Sequence, residues 1–420
     1  MLSTEKLSRL AVNGGPRLRL EPFPARGSIG LEEKAAVDAV FEQAIKSGNA
    51  PGYNGEEEEA YCREFSAYLG GGFTDAVSSG TTAIYVALKA LDLEPFTEVI
   101  VGAITDPGGM MPIPLLNLIP MVADTRPGSF NTGPEQVEEL ISSRTRAILV
   151  PHIAGEPADM EGILQVASRH GLPVIEDCAQ SHGARLKGRM LGTFGSLAAF
   201  STMFGKHYCS GGQGGLVFTP EEQLYQSIRR ASDRGKPFFM PQGSTNTIAS
   251  LNFNLSDLAA AIGSAQLKKL PEVISRRKMI VAKLAEEIET LHAISLPELI
   301  PGAEPSYWFL RIRFYAERAA CDKETFCQAL SAEGLPVEPS YRYALPHLMD
   351  WFVHRHAFGR SGYPWASPAY TGDPQQQFPC PNAITAVDQH FNLHFHENWT
   401  SSDIEDTISI LHKVDDAYAV

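Results

Sequence analysis

The chain has 420 residues, 44% of them hydrophobic and 20% charged, with a formal net charge of −14. That length exceeds one ordinary hydrophobic core, so a larger and a smaller domain are expected in a soluble globular protein. The negative charge excludes a general nucleic-acid or anionic-membrane surface and leaves any phosphorylated ligand to be held locally. The opening MLSTEKLSRL lacks the apolar core of a signal peptide, and the most apolar stretch, 110–122, is broken by prolines. The six cysteines show no CxxC spacing, so reduced thiols in a cytoplasmic protein are expected.

Residues 1–30 read as an extended arm carrying the turn-rich GGPRLRLEPFP. A helix is expected from about Leu31, and the acidic run 56–59 reads as the start of another, its charge complementing the helix dipole. Val77 closes a short strand. The spacing of Ile84, Ala87, Leu88 and Leu91 then predicts a helix whose first turn holds Gly80, Thr81 and Thr82. Free amides and hydroxyls there suit a phosphate, while Ser79 or Thr81 equally serves as an ordinary cap. Strands are expected over 98–101, 120–123 and 146–150, and helices over 134–141 and 159–170, the second stopped by Gly171. Such alternation marks an α/β domain with a mainly parallel sheet.

The stretch 172–219 carries the densest chemistry: LPVIEDCAQSHGARLKGRMLGTFGSLAAFSTMFGKHYCSGGQGGLVFT. Three apolar runs, 172–175, 197–200 and 216–218, read as core strands; the first ends in Glu176 and Asp177, the second at Ser201 with Lys206 soon after. A carboxylate and a lysine beyond strand ends stand where open α/β sheets bind ligands. The pair suits pyridoxal phosphate, whose aldehyde takes a lysine amine and whose ring nitrogen keeps its proton beside an acid. On those two residues alone the reading stays open, because any α/β protein has Asp and Lys near strand ends.

Seven segments resemble the signature of the DegT/DnrJ/EryC1/StrS aminotransferases: SGTTAIYVAL, PHIAGEPADM, EDCAQSHGA, GTFG, AFSTMFGK, GGQGG and LNFNLSDLAAAIGSAQLKKL, in that order over most of the chain. The resemblance implies a fold type I α/β architecture, with a mainly parallel seven-stranded sheet in a large cofactor-binding domain (31–270) and a smaller α+β C-terminal domain (271–420). It implies pyridoxal 5′-phosphate in Schiff-base linkage to Lys206, with Lys206 and Asp177 catalytic. Gly80, Thr81, Thr82 and Ser201 would hold the phosphate, Gln180 would lie against the ring or its hydroxyl, and Asn252 would reach the phosphate of a neighbouring subunit, making a homodimer with the active site at the interface. His182 is expected to hydrogen-bond near Asp177. The implied reaction moves an amino group from glutamate or glutamine to a ketone on a sugar or cyclitol, toward an amino sugar or aminocyclitol of a secondary metabolite or surface polysaccharide. The GGP near the start is typical of the branch acting on cyclitol-type ketones. A nucleotide-sugar dehydratase on the same cofactor and a non-catalytic regulatory paralogue are the alternatives. Related dehydratases have histidine where this chain keeps Lys206, which favours transamination.

The chain departs from the family in places. Where relatives carry an aromatic residue over the cofactor ring it reads ITDPGG, with Asp106, and where a basic residue is common it has Asn254. The second change weakens the case for a nucleotide-diphosphate substrate. His152 matches a family position and equally fits a satisfied strand-end histidine.

The polar DRGKPFFMPQGSTNT reads as a functional loop. Beyond it a long amphipathic helix is expected over 272–291, strands over 307–314 and 391–395, a helix over 322–333 ended by Gly334, and a last helix with a capping box of Ser402 and Glu405, running to about Lys413. His354, His356, His390, His394 and His396 form no zinc spacing, so no metal is expected there. Arg342 reads either as a bidentate anion holder or as a plain surface arginine.

Overall fold

A computed structural model describes residues 4–420. The large sheet contains β1 (Phe73–Val77), β2 (Glu98–Gly102), β3 (Ile119–Ala123), β4 (Thr145–Pro151), β5 (Val174–Asp177), β6 (Leu197–Ser201) and β7 (Gly215–Thr219). Their order is β1-β7-β6-β5-β4-β2-β3. The pairs β2/β3, β2/β4, β4/β5 and β5/β6 are parallel, and β7 runs antiparallel to β6 and β1. The expected α/β architecture with a mainly parallel seven-stranded sheet is therefore present.

The apolar runs become strands because both faces of the sheet are covered, so every position is buried rather than every second one. Alternate residues feed opposite cores. Ile148 and Val150 share one core with Phe65 of helix Glu56–Leu69 and Ile163 of helix Met160–His170, while Ala147 and Leu149 share the other with Ile84 and Leu88 of helix Gly80–Ala90. The register sets Pro151 beside Asp177 and Asp177 beside Ala199, so β4 and β5 finish level at one edge and β6 runs on two residues to Ser201.

A second, antiparallel sheet is made of β8 (Ile294–Ser295), β9 (Leu310–Phe314), β10 (Val337–Glu338) and β11 (His390–Leu393), in the order β8-β9-β11-β10. Helices Leu270–Ile288, Lys323–Glu333 and Ser401–Tyr418 share its core, through Leu284, Phe326 and Ile410 among others. The strand expected from 307 begins only at Leu310, because Tyr307 has a φ of 51°, a left-handed conformation that cannot continue a strand. The last helix is capped by Thr400 and Asp403 instead of Ser402 and Glu405, and it runs to Tyr418.

Packing crosses the expected boundary at residue 270 in two places. Leu10, in the N-terminal arm, is fully buried in the core of the small sheet, and Thr4–Ser8 is a short helix, so the arm is not simply extended. In the other direction, Phe352, Trp365, Tyr370 and Cys380 join the cores of the large sheet. Among the described residues no helix is long and apolar enough to cross a membrane.

Candidate active site

The ends of β1, β5 and β6 and the turn after β2 enclose a cleft of about 230 Å³. Asp177, the last residue of β5, and Lys206, in the turn after β6, both line it. The Asp177 carboxylate accepts one hydrogen bond, from the Ala179 N–H at 3.0 Å. Its Oδ2 faces Gly109, where a Cβ would lie 3.1 Å from that oxygen and 2.3 Å from Thr105 Oγ1. Burial pushes the Asp177 carboxyl upward, opposed by the Ala179 N–H and by the charge of Lys206.

Lys206 is buried, and its ammonium makes no hydrogen bond among the described residues; Nζ lies 3.6 Å from the centroid of the Trp308 ring. Burial pushes its pKa down to about 8, against the pull of Asp177 and Asp106. The Trp308 indole N–H is anchored on the Gly205 carbonyl at 2.9 Å. From the N-terminal arm, Arg26 donates to the carbonyls of Lys206 and His207, each at 2.6 Å, and to Glu397 at 2.8 Å. The catalytic candidate is thus gripped by its own backbone.

At the other end of the cleft, Gly80 and Thr81 begin a helix capped by Ser79. The Thr82 N–H donates to Ser79 Oγ at 3.1 Å, while the Thr82 hydroxyl donates to the Ser79 carbonyl and accepts from the Ser79 N–H, both at 2.9 Å. Capping is therefore done by Ser79 and Thr82, and the first-turn N–H groups of Gly80 and Thr81 remain as donors facing the cleft. Thr82 does not line the cleft because its hydroxyl turns back onto Ser79. A Cβ on Gly80 would stand 2.6 Å from that of Ser201, so glycine lets the helix start close on the end of β6.

Two other expected residues lie off the cleft wall. Gln180 is buried one layer behind, its Oε1 accepting from the Ala154 N–H at 2.9 Å and its amide donating to the Tyr341 hydroxyl at 3.2 Å. Asn252 is exposed outside the cleft and accepts from Asn254 Nδ2 at 2.6 Å. His182 donates to the Ser201 carbonyl at 2.8 Å rather than to Asp177, and burial pushes it down to about 4, so it is neutral.

Glu176, next to Asp177, accepts from the N–H groups of Gly192, Phe194 and Gly195 at 2.7–2.8 Å. His152 Nδ1 accepts from the Ala158 N–H at 3.1 Å, so Nε2 carries the hydrogen and donates to Glu176 at 3.2 Å. Cys178 brings this group to metal-like spacing, yet the histidine nitrogens and the carboxylate already have protein partners. Arg342 pairs in bidentate fashion with Asp388 on the surface, at 2.9 and 2.6 Å, which selects the plain reading. The C-terminal histidines serve separate local bonds, His390 to Ala386, His394 to Glu338 and His396 to Pro24. Trp308 and Arg26 carry no sequence signal for the site, since each arrives from a distant segment with no local motif.

The sequence profile described as the DegT/DnrJ/EryC1/StrS aminotransferase family matches residues 32–412. The chain is 30% identical to the dTDP-3-amino-3,4,6-trideoxy-alpha-D-glucose transaminase of Streptomyces venezuelae, over 86% of this chain and 87% of that one. It is 34% identical to the L-glutamine:2-deoxy-scyllo-inosose aminotransferase of Streptomyces fradiae, over 66% and 68%. The crystal structure of S. venezuelae DesV in complex with a ketimine intermediate superposes with a TM-score of 0.77 at 28% identity, covering 94% of this chain and 97% of that one. The chain belongs to the DegT/DnrJ/EryC1/StrS aminotransferase family.

Proposed function

We propose that this aminotransferase uses pyridoxal phosphate, held at Lys206 and Asp177, to move an amino group from glutamate or glutamine to a ketone on a sugar or cyclitol. The observation that carries the reading is a buried lysine without a hydrogen-bond partner sharing a small cleft with a buried carboxylate that has one free oxygen. Relatives whose names describe glutamine-dependent and sugar-directed amino transfer support the donor and acceptor classes.

The residues fit the cofactor. Gly80 and Thr81 offer backbone donors and Ser201 a hydroxyl for its phosphate, and Gly109 leaves uncovered the Asp177 Oδ2, from which a Cβ would lie 3.1 Å. Pyridoxal phosphate supplies an aldehyde that carries the amino group and a protonated ring that accepts electrons. Asp177 would hold the proton at the ring nitrogen; burial pushes its carboxyl upward, and the Ala179 N–H and the charge of Lys206 oppose that shift. Lys206 Nζ would hold the cofactor through its aldehyde and, as a free amine, would move the substrate proton. A pKa of about 8 leaves an appreciable neutral fraction for attack at pH 7. Trp308 receives the ammonium on its ring face while it waits.

A homodimer completes this reading. Leu31 and Ile45 are 80% and 81% exposed on helix Leu31–Ser47, and Phe204 and Leu251 are 68% and 61% exposed. In the proposed dimer a second copy of the chain would cover such side chains and bring its Asn252 toward the phosphate. A cytoplasmic setting, in keeping with six unbridged cysteines, belongs to the same proposal.

The test is the visible spectrum of the purified protein with pyridoxal phosphate. Glutamate or glutamine is expected to bleach the band of the lysine-bound cofactor, and a keto-cyclitol or keto-sugar to restore it. A band that forms but ignores both amino acids contradicts the donor assignment.

A further inference from the structure

We infer that Glu397 is a positioning residue for the amino transfer: through Arg26 and Arg277 it locks Lys206 and Trp308 against each other, so that the segment after β11 sets where the lysine stands. This rests on the aminotransferase reading above and adds to it the part of the chain that aims the lysine.

Glu397 is buried, and each of its oxygens takes a different arginine. Oε1 accepts from Arg26 Nε at 2.8 Å, and Oε2 accepts from Nε and Nη2 of Arg277, on helix Leu270–Ile288, both at 2.9 Å. The other N–H groups of the two guanidiniums reach backbone. Arg26 Nη1 and Nη2 hold the carbonyls of Lys206 and His207, and Arg277 Nη1 holds those of Tyr307 and Trp308 at 2.9 and 3.2 Å. Among the described residues these four carbonyls take no other hydrogen bond. One carboxylate therefore fixes both the backbone that carries the lysine and the backbone that carries the ring its ammonium rests on.

Two direct links close the frame. The Trp308 indole N–H donates to the Gly205 carbonyl, and His207 Nε2 donates to the Ser306 carbonyl at 3.1 Å, burial keeping that histidine neutral. The arm that brings Arg26 is pinned by the neighbours of Glu397. Asn398 Nδ2 donates to the Arg26 carbonyl, His396 Nε2 to the Pro24 carbonyl at 2.8 Å, and Phe23 stacks on Trp399 with ring centroids 4.3 Å apart.

Glu397 acts on the lysine by geometry and not by its own charge. Burial, Asp177 and Asp106 are what move the Lys206 amine. The charge of Glu397 acts on the arginines instead: burial pushes Arg277 down to about 10, Glu397 opposes that shift and Arg26 adds to it. With the carboxylate neutralised, two cations face one another, and as they part they release the carbonyls they hold.

The experiment compares the parent protein with Glu397→Gln, Arg26→Lys and Glu397→Asp. The first readout is the pH midpoint for capture of pyridoxal phosphate by the cofactor-free protein. A lysine that has left the Trp308 ring titrates lower, so Glu397→Gln is expected to lower the midpoint by up to about one pH unit, and to lower it no further in a protein that already carries Trp308→Leu. A general loss of structure would not be cancelled in this way. The second readout is the split between kcat and KM. For amino transfer from glutamate, kcat should fall about tenfold or more at nearly unchanged KM. Arg26→Lys keeps a charge beside Glu397 but cannot span a carboxylate and two carbonyls at once, so it should lower both kcat and the midpoint while the thermal midpoint stays near that of the parent; it decides the question where Glu397→Gln does not fold. Glu397→Asp keeps the charge and loses the reach, so it should recover the thermal midpoint more fully than kcat.

Unchanged kcat and capture midpoint in Arg26→Lys, or a shift from Glu397→Gln that adds in full to that of Trp308→Leu, overturns the inference. Bleaching of the parent's bound-cofactor band by glutamate leaves the aminotransferase reading intact in either case. Failure of the parent band to form overturns both.

Discussion

Glu176 and Asp177 are adjacent carboxylates at the end of one strand, both buried, and they are built for opposite purposes. Three backbone N–H groups and His152 satisfy Glu176, which ties the 192–195 turn to β5. Asp177 receives one N–H and keeps an oxygen free toward the cleft. A saturated buried acid holds structure; an under-satisfied one beside an unpartnered lysine is held ready for a ligand. The pleat of β5 makes the division, since successive side chains leave a strand on opposite faces.

Substitutions can break this contrast. The largest effect is expected from Lys206→Ala, which should remove the bound-cofactor band and lower turnover at least about a thousandfold, as measured by single-turnover kinetics. Asp177→Asn should lower turnover by about a hundredfold or more while leaving the thermal midpoint near that of the parent, because it removes a buried charge rather than a satisfied one. Glu176→Gln should do the reverse in kind, placing an amide donor against N–H donors and costing about 3 kcal/mol of stability in urea unfolding. If Asp177→Asn unfolded the protein and Glu176→Gln lost only activity, the contrast would be wrong.

Titration sharpens it further. Only the neutral amine of Lys206 attacks an aldehyde, so capture of pyridoxal phosphate by the cofactor-free protein should speed up as pH rises and level off above about 8. The smallest effect concerns Trp308. Its ring favours the charged lysine, so Trp308→Leu should move that midpoint downward by at most about one pH unit, measured by stopped-flow absorbance.

The same contrast explains what could be read from the sequence. Strands buried on both faces appear as apolar runs that stop abruptly, and Asp177, Ser201 and Lys206 stand at those stops. The cap of the last helix was misread because both Ser402/Glu405 and Thr400/Asp403 suit the template; Asp403 is fixed by a second partner, Arg19, at 2.6 Å from far along the chain. Trp308 was invisible for a related reason. It reaches the lysine through Tyr307 at φ 51° and a backbone bond from Trp308 N–H to the Ala154 carbonyl, neither of which leaves a local pattern. For Gln180 the motif gives a position on the chain but not the engagement of its amide by Ala154 and Tyr341.

The most direct measurement is borohydride reduction of the protein loaded with pyridoxal phosphate, followed by peptide mass mapping. The cofactor's mass is expected on the peptide containing Lys206 and to vanish in Lys206→Ala. A label on another lysine, or one that persists in the variant, would contradict the central assignment.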